Sequence, residues 1–239
     1  MTAVMKTVVM IPTYNEAENI GSLIDELLRL PIGEVEILVV DDDSPDGTGR
    51  IVAAREEKDR RVRLVSRKEG RGRGLAGREG FLRALADGAG RIVEMDGDGS
   101  HDPDDLPRLL EPVGRGEADV VIGSRFVPGG GVADREWFRD LVSSLARRYL
   151  RLVLGVPVHD PTSGYRVFSR RALEAIGPET LRAADPFIVA EVLYRARTKG
   201  LRIVEVPIVF RPRRGGVSKL RPRTLAAYLY RAWILRRRG

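Results

Sequence analysis

Cysteine is absent from all 239 positions of the sequence. This absence excludes a disulfide framework, a cysteine-ligated zinc or iron–sulfur site and a thiol nucleophile. Only two histidines are present, His101 and His159, and they leave little room for a histidine-rich metal site. The remaining composition, 43% hydrophobic and 31% charged, is that of an ordinary globular protein, and the length suits one α/β domain with a full-sized core.

The sequence also lacks long hydrophobic runs, and it has no acidic residues near its C-terminal end. No stretch approaches the length of about 18 apolar residues that a membrane-spanning helix needs, and the N-terminus lacks the layout of a signal peptide. Positions 206–239 hold ten Lys and Arg and no acid, whereas 1–205 hold 31 basic and 34 acidic residues. The net charge of +7 therefore belongs to a basic end on a slightly acidic body, which indicates a nucleic acid or a membrane surface as partner.

Strand-like and helix-like segments alternate along the first half of the chain. Short apolar runs predict buried strands, and apolar residues at helical spacing predict helices between them. The repeated units favour an α/β fold with a mainly parallel central sheet flanked by helices, and such sheets bind ligands beyond the carboxyl ends of their strands. Strands are predicted at 6–11, 35–40, 62–66, 91–95, 119–123 and 203–210, and helices at 15–30, 48–57, 75–87, 104–113, 136–154, 186–199 and 224–238.

Asp96-Gly97-Asp98 follows the fourth predicted strand. Two carboxylates in a glycine-containing turn can face one hard cation together with diphosphate oxygens. A solvated Asp/Gly turn is the alternative, and the position after a buried strand favours the functional interpretation. A calcium loop of the EF-hand type is excluded, because its sixth position would be His101 rather than Gly and its twelfth Pro107 rather than Glu.

A second acidic cluster, residues 41–48, follows the second predicted strand. Its carboxylates can accept hydrogen bonds from the ribose or base of a nucleotide, and a turn over 44–47 with Thr48 capping the next helix is an equal alternative. The segment 70–74, made of Gly and Arg, could wrap a phosphate or form a flexible surface loop. No G-x-G-x-x-G follows the first strand and no G-x-x-x-x-G-K-[ST] occurs, which argues against dinucleotide oxidoreductases and P-loop NTPases.

Eight short motifs, taken in their order along residues 7–220, together resemble the family 2 glycosyltransferases. Each motif alone is weak, and their shared order makes chance agreement improbable. The later ones narrow the resemblance to dolichol-phosphate (polyprenol-phosphate) mannose synthases. The motifs are Pro12-Thr13-Tyr14-Asn15-Glu16, Val40-Asp41-Asp42 with Ser44-Pro45-Asp46-Gly47-Thr48, Asp96-Gly97-Asp98, Ile122-Gly123-Ser124-Arg125, Pro128-Gly129-Gly130, Asp160-Pro161-Thr162-Ser163-Gly164-Tyr165-Arg166, Glu205-Val206-Pro207 and Ser218-Lys219-Leu220.

The resemblance implies a GT-A fold in a catalytic domain over 1–220, a GDP-mannose donor, a polyprenyl- or dolichyl-phosphate acceptor and Mg²⁺ or Mn²⁺. It assigns the guanosine to Pro12, Tyr14, Glu16, Val40 and Asp42. It assigns the cation and the diphosphate to Asp96 and Asp98, with the backbone at Gly97 alongside. It adds Arg125, Arg213 and Lys219 as further donor contacts, with Ser100 where relatives often have Gln. Arg125, Arg139 and Ser143 match positions that grip the acceptor phosphate, and with Asp98 they form the predicted catalytic set.

The expected chemistry agrees with this residue set. A leaving diphosphate needs a metal and cationic side chains. The acceptor phosphate is already ionised at neutral pH, so no strong general base is required. A single displacement at the anomeric carbon predicts inversion, giving a β-linked mannosyl phosphate. A UDP-sugar donor such as UDP-glucose is the alternative, because the motifs define nucleotide-sugar chemistry better than they define base and sugar.

The sequence also gives predictions for two further residues and one segment. Asp160 could orient the sugar or a neighbouring arginine. Residues 127–134, rich in glycine, are predicted to form a mobile lid over the substrates. His101 is expected on the rim of the metal turn rather than as a ligand.

The tail, 221–239, is predicted as a basic amphipathic helix. It could lie in a membrane interface with Tyr and Trp at headgroup depth, or pack on the domain with a solvated basic end. Many relatives continue into transmembrane helices, and this chain is expected to lack them. We therefore expect a peripheral enzyme on the cytoplasmic face of a membrane, with no nucleic-acid partner. A membrane-embedded partner subunit is a further option.

Overall fold

The computed structural model describes residues 5–133, 137–211 and 222–238, without the side chains of 137–143, 222–226 and 238. Strands and helices alternate through most of this length. The strands are β1 (Thr7–Thr13), β2 (Val35–Asp41), β3 (Val62–Ser66), β4 (Arg91–Glu94), β5 (Val120–Ser124), β6 (Gly131–Val132), β7 (Arg166–Ser169), β8 (Ile203–Pro207) and β9 (Val209–Phe210). The helices are α1 (Ile20–Leu28), α2 (Thr48–Glu56), α3 (Arg73–Ala86), α4 (Leu106–Gly114), α5 (Trp137–Leu154), α6 (Arg170–Ile176), α7 (Ile188–Thr198) and α8 (Pro222–Arg238), with short 3₁₀ turns at Pro103–Asp105 and Pro178–Thr180.

Seven strands form one central sheet in the order β3-β2-β1-β4-β7-β5-β8. All neighbouring strands run parallel except β7, which is antiparallel to both β4 and β5. A second, two-stranded parallel sheet joins β6 to β9. The mainly parallel sheet predicted from the sequence is confirmed, and its parallel strands direct their carboxyl ends to one edge.

The core lies on both faces of the sheet, because successive strand side chains point to opposite sides. On β1, Val8 and Met10 enter one buried cluster while Val9 and Ile11 enter the other. Helices α1 and α4 cover the second face, and α3, α6 and α7 cover the first. Burial on both faces explains why these strands are continuous apolar runs rather than alternating ones.

The first helix begins later than the sequence predicts. The structure starts α1 at Ile20 instead of residue 15, and its N-cap, Asn19, makes no side-chain cap. Asn15 adopts a left-handed φ of 61°, which ends regular structure after β1. Residues 15–17 donate their backbone N–H groups to side chains of the loop after β2, so tertiary hydrogen bonds hold this segment outside the helix.

Two elements in the second half differ from the prediction. The sequence shows no strand signal for β7, although its side chains Val167 and Phe168 are fully buried between β4 and β5. The predicted strand 203–210 is interrupted at Ile208, whose side chain is buried and whose N–H donates to Ser124 O at 3.0 Å. The break lets β9 leave the main sheet and pair with β6.

Helix α8 packs on the body beside α5 and α7. The Tyr149 hydroxyl of α5 donates to the Leu229 carbonyl at 3.3 Å, and Phe187 meets Tyr228 edge-to-face at 4.9 Å. Ala232 is completely buried. Within the described residues, no helix has the length and apolar character needed to cross a membrane.

Candidate functional site

The carboxyl ends of β1, β2 and β4 form one edge of the sheet, and both acidic clusters lie there. The register sets Thr13 beside Asp41 and Met10 beside Glu94, so each cluster follows a strand adjacent to β1. Parallel pairing therefore brings together segments that lie about fifty residues apart in sequence.

Asp41 ties the loop after β1 to the loop after β2. Its carboxylate accepts hydrogen bonds from the Thr13 hydroxyl at 3.0 Å and from the Ser44 N–H at 2.9 Å, and it also binds the Ser44 hydroxyl. Only 2% of Asp41 is exposed. Asp41 is thus a structural acid that holds the two loops together.

Asp46 and Thr48 reinforce this tie. Asp46 accepts from the N–H groups of Ala17 and Thr48, both at 2.9 Å. Burial would raise the pKa of Asp46, but these hydrogen bonds and that of the Thr48 hydroxyl lower it below its ordinary value. The predicted capping role of Thr48 is wrong: Gly47 is the N-cap of α2, and the Thr48 hydroxyl accepts from the Glu16 N–H at 2.9 Å.

Asp42 lies between two groups of the segment after β3. Its carboxylate pairs with Arg67 and accepts from the Gly72 N–H at 2.7 Å. The remaining predicted nucleoside residues surround it at the ends of β1 and β2. Pro12 and Val40 are buried strand residues paired in register, and the Val40 side chain belongs to the core.

Tyr14 and Glu16 are partly exposed beside these strand ends. The Arg71 guanidinium lies 5.4 Å from the Tyr14 ring centroid and 3.5 Å from its hydroxyl. The Glu16 carboxylate accepts from the Asn19 side chain at 3.2 Å. An aromatic ring, an arginine and a carboxylate therefore lie beside the ends of β1 and β2.

Asp96, Gly97 and Asp98 form the turn after β4. The Asp96 side chain is 35% exposed and accepts from Arg73 Nη2 at 3.0 Å. Gly97 packs against the β1 loop so closely that a Cβ there would meet Thr13 Cγ2 at 3.0 Å. The turn is consequently held against the same loop that carries Tyr14 and Glu16.

Asp98 and Ser100 are joined within that turn. Asp98 is 6% exposed, and its Oδ1 accepts from the Ser100 N–H at 3.1 Å and from the Ser100 hydroxyl. Ser100 is fully buried. Its hydroxyl orients Asp98, while the donor contact predicted for Ser100 stays a prediction.

His101 is buried beneath the turn, which corrects its expected place on the rim. Its Nδ1 accepts from the Asp96 N–H at 3.3 Å, and its ring stacks on Tyr165 at 5.0 Å. Burial lowers the pKa of His101, against the opposing effect of Asp96 and Asp98. A neutral imidazole suits this accepting role, so His101 supports the turn from inside.

Arg125 and Asp160 form a bidentate pair after β5. Arg125 Nε and Nη2 donate to the two Asp160 oxygens at 2.7 and 2.8 Å, and Nη2 also donates to Thr162 at 2.8 Å. Burial would raise the pKa of Asp160, but the hydrogen bonds and charge of Arg125 lower it. Of the two predicted roles for Asp160, orienting a neighbouring arginine is confirmed.

Glu205 anchors this pair from β8. It accepts from the Asp160 N–H at 2.9 Å and from the His159 N–H at 2.7 Å. Ring contacts add to the anchoring, because the Arg125 guanidinium lies 5.2 Å from both the Phe126 and Phe210 centroids. Arg125 is thus a rigid cation, and Nη1 is the guanidinium nitrogen that forms no hydrogen bond within the described part of the chain.

The predicted lid, 127–134, is tied to the second sheet over its described part. The Gly131 N–H donates to Ile208 O at 3.0 Å, and the Ala133 N–H donates to Phe210 O at 2.9 Å. Its mobility stays a prediction. Arg213 and Lys219 lie outside the described residues, and the side chains of Arg139 and Ser143 lie outside the described part of α5.

Several charged residues of the site received no assigned role from the sequence. Each holds a buried or half-buried charge whose contacts reach across the fold, and local spacing does not reveal such contacts. Arg71 and Arg73 had a signal as members of the segment 70–74, and Arg166 and Glu205 had one as members of two of the eight motifs. The residues are Arg67, Arg73, Glu94, Arg166 and Glu205.

Asp96 and Asp98 fit a hard divalent cation. Carboxylate oxygens are the ligands that Mg²⁺ and Mn²⁺ prefer, and Mg²⁺ is commonly held by one or two carboxylates plus phosphate oxygens and water. Among the residues that the structure describes, no group of three or more His, Cys, Asp and Glu side chains forms a complete cage. A cation held by these two carboxylates would take the rest of its coordination sphere from a substrate and water.

The mainly parallel sheet flanked by helices, with carboxylates and arginines along its carboxyl edge, is a fold of the GT-A type. A solved structure of glucosyl-3-phosphoglycerate synthase from Mycobacterium tuberculosis, in complex with Mn²⁺, UDP and glucosyl-3-phosphoglycerate, matches with a TM-score of 0.69 at 27% identity. The match covers 97% of this chain and 78% of that one. The expected GT-A fold is confirmed.

The family model for glycosyl transferase family 2 matches residues 8–177. Polyprenol monophosphomannose synthase from Mycolicibacterium smegmatis is 43% identical over 90% of this chain and 81% of its own length. Undecaprenyl-phosphate mannosyltransferase from Micrococcus luteus is 41% identical over 90% and 88%. The chain belongs to glycosyltransferase family 2, and it is a glycosyltransferase.

Proposed function

We propose that the chain transfers mannose from GDP-mannose to the phosphate of a polyprenyl or dolichyl phosphate, giving a β-mannosyl phosphate and GDP. The single observation that carries the proposal is the meeting of Asp96, Asp98 and the anchored Arg125 around one edge of the sheet. The Phe210 ring joins the two parts, because its centroid lies 5.2 Å from the Arg125 guanidinium and 5.5 Å from the ring of His101, which accepts from the Asp96 N–H. The names of the similar mannosyltransferases support mannose as the sugar and a polyprenyl phosphate as the acceptor.

The donor would lie across the ends of β1, β2 and β4. Tyr14, Glu16 and Asp42 border the nucleoside side, with Pro12 and Val40 forming the strand ends beneath. Arg67 and Gly72 occupy the Asp42 carboxylate in this structure, so its part in base or ribose binding requires it to share those contacts. Arg213 and Lys219 stay predictions for the donor phosphates.

Asp96 and Asp98 would hold Mg²⁺ or Mn²⁺ with the donor diphosphate. A bound divalent cation supplies charge stabilisation for the leaving diphosphate. The Ser100 hydroxyl keeps the Asp98 carboxylate in place before substrate arrives, and the His101 ring holds the backbone N–H of Asp96. Such preorganisation lowers the reorganisation needed during transfer.

Arg125 would bind the acceptor phosphate through its outer edge. Asp160 fixes the inner edge of the guanidinium, so the planar group presents one defined face. Arg139 and Ser143 are proposed to complete the acceptor site. The ionised phosphate oxygen attacks the anomeric carbon as the sugar–diphosphate bond breaks, and the diphosphate leaves with the electron pair.

A surface on α5 and α8 supports a membrane as partner. Large exposed apolar side chains lie on both helices: Leu145 and Leu152 on α5, Tyr230 and Trp233 on α8. Arginines stand among them, and Arg237 lies 4.4 Å from the Trp233 ring centroid. Apolar side chains with arginines suit the headgroup region of a bilayer. Four further predictions belong to this proposal. They are a location on the cytoplasmic face of the membrane, a domain boundary at residue 220, a membrane-embedded partner subunit and the absence of a nucleic-acid partner.

A transfer assay tests the activity. GDP-mannose with a labelled sugar and a polyprenyl phosphate should give label extractable into organic solvent when Mg²⁺ or Mn²⁺ is present, and Asp98→Ala should abolish it. Equal yields from UDP-glucose would overturn the donor assignment, and no lipid-linked label from any donor would overturn the proposal. A thermal-shift comparison of GDP with UDP in the presence of Mn²⁺ identifies the base independently.

Vesicle flotation tests the membrane surface. The unchanged chain should float with anionic phosphatidylglycerol vesicles, and Leu152→Ser combined with Trp233→Ser should reduce the bound fraction severalfold. Val209→Ser is the matched control, because Val209 is an exposed apolar residue on β9, away from both helices. Equal flotation of all three proteins would contradict the assignment.

A further inference from the structure

Arg73, at the start of α3, bridges two carboxylates at the end of β4. Its Nη1 donates to Glu94 Oε1 at 2.6 Å and its Nη2 donates to Asp96 Oδ1 at 3.0 Å. The Arg73 side chain is 19% exposed and Glu94 only 1%. One guanidinium thus links a buried acid to the partly exposed acid of the proposed cation turn.

The backbone holds Arg73 in this position from both sides. The Gly72 N–H donates to Asp42 at 2.7 Å, and the Gly74 N–H donates to Ala184 O at 2.9 Å. A Cβ at Gly74 would lie 2.1 Å from the Ala183 carbonyl oxygen, so the strap 72–74 sits directly on the segment before α7. The strap is a fitted part of the fold rather than the flexible surface loop considered from the sequence.

The ion pair between Arg73 and Asp96 is also enclosed on the side of Gly164 and β7. A Cβ on Gly164 would meet Asp96 Oδ2 at 2.8 Å and Arg73 Nη2 at 3.0 Å, so glycine leaves room for the ion pair. Arg166, the register partner of Glu94 on β7, is fully buried and donates to Val189 O at 2.6 Å and Pro161 O at 3.2 Å. Glu94 therefore lies between two arginines.

The Arg73 guanidinium carries a permanent positive charge, as arginine does at every physiological pH, and it lies against both carboxylates. A charged group beside Asp96 offsets the negative charge that a divalent cation would otherwise meet there. Glu94 lies across the guanidinium from Asp96, so its own charge acts on the turn from farther away.

We propose that Arg73, clamped by Glu94, is a positioning residue that orients the Asp96 carboxylate and limits how tightly the turn binds a divalent cation. The inference rests on the proposed function in one respect, the binding of a cation at Asp96 and Asp98. It adds that the chain's own arginine competes with that cation for Asp96. A moderate affinity suits a cation that arrives and leaves with a nucleotide.

Binding of Mn²⁺ alone to the purified full chain tests this without any turnover. The free ion is measured by its electron paramagnetic resonance signal during titration. Arg73→Met combined with Glu94→Gln removes the bridge and avoids an unpaired buried carboxylate, and it should bind Mn²⁺ about tenfold more tightly. A damaged or unfolded site would lose affinity, so a gain separates positioning from a purely structural role.

Two single variants complete the test. Arg73→Lys keeps the charge and should stay within about twofold of the unchanged chain. Arg83→Met is the matched control, because Arg83 lies on the same helix in an exposed pair with Glu79 at 2.8 Å, and its Mn²⁺ affinity should not change. Circular dichroism melting verifies that each protein is folded.

The outcomes separate the inference from the proposed function. Unchanged or weaker Mn²⁺ binding by the folded double variant overturns the role of Arg73 and leaves the transferase proposal intact. No Mn²⁺ binding by the unchanged chain overturns this inference together with the cation assignment. If the unchanged chain fails to transfer mannose while the double variant binds Mn²⁺ more tightly, the role of Arg73 stands. The donor or acceptor assignment is then overturned.

Discussion

The two acidic strand ends have similar sequences and different surroundings. After β2, Asp41 is buried, and protein donors occupy both of its oxygens. After β4, Asp96 keeps about a third of its side chain exposed and pairs with Arg73. The first cluster joins two loops, whereas the second leaves one carboxylate partly exposed to solvent. The same residue type thus serves stability at one strand end and the proposed cation binding at the next.

The largest effect is expected at the β4 end. Asp98→Asn keeps the shape of the side chain and removes its charge, so transfer activity should fall by about 10³-fold with the melting temperature nearly unchanged. Labelled product and thermal melting measure the two quantities. Asp43→Asn, an exposed acid of the β2 cluster at a left-handed φ of 56° that asparagine tolerates, is the control and should stay near full activity. Equal losses in both variants would erase the contrast between the clusters.

Asp160→Asn should produce the next largest loss. The amide cannot receive both guanidinium hydrogen bonds, so Arg125 loses its defined orientation, and a misplacement of this kind costs roughly 10²-fold in rate. Steady-state kinetics with varied polyprenyl phosphate should show the change. Asp119→Asn is a useful comparison, because Asp119 pairs with an exposed arginine, Arg202, in the same parallel strand pair. An undiminished rate in Asp160→Asn would show that Arg125 does not act in transfer.

Asp41→Asn should change stability more than catalysis. The substitution replaces one of the two oxygens that accept from Thr13 and Ser44 by an amide nitrogen, which cannot accept, and the unpaired buried donor costs about 1–3 kcal/mol of the free energy of unfolding. Urea denaturation measures the loss, and activity per folded molecule should fall only severalfold. A severe loss of activity without destabilisation would move Asp41 into the binding site and blur the comparison.

The smallest effect concerns acid stability at Asp46. Its pKa is lower in the folded state, so its stabilising contribution is present above the ordinary value of 3.8 and is lost as the pH falls through the lower folded pKa. Asp46→Asn should therefore flatten the loss of stability below about pH 4, as seen in urea midpoints measured at successive pH values. A slope equal to that of the unchanged chain would show that the Ala17 and Thr48 bonds do not favour the ionised form.

Much of the fold was predictable because the local periodicity of apolar residues indicates most of its strands and helices. The first five strands and the helices between them are continuous apolar runs or amphipathic segments. By contrast, β7 has only four residues, 166–169, and begins with an arginine, so no pattern marks it. Its place between β4 and β5 depends on antiparallel pairing with strands far away in sequence.

The site shows the same division. Asp96, Asp98 and Arg125 were identified from ordered motifs, because their chemistry and position after strands are visible in one dimension. The partners of these residues were not. Arg73, Glu94 and Glu205 make their contacts across the fold, so neither the segment 70–74 nor the motif 205–207 showed which groups these charges would meet. His101 was expected at the surface for that reason, although the structure buries it against Tyr165.

The sequence by itself determined the class of fold, the family and the strand ends that carry the carboxylates, because hydrophobic period and motif order are local properties. Only the tertiary structure decided which carboxylates are engaged by the protein, which arginine is clamped and which histidine is buried. These outcomes depend on desolvation and on hydrogen bonds between distant segments, and both exist only once the sheet has assembled.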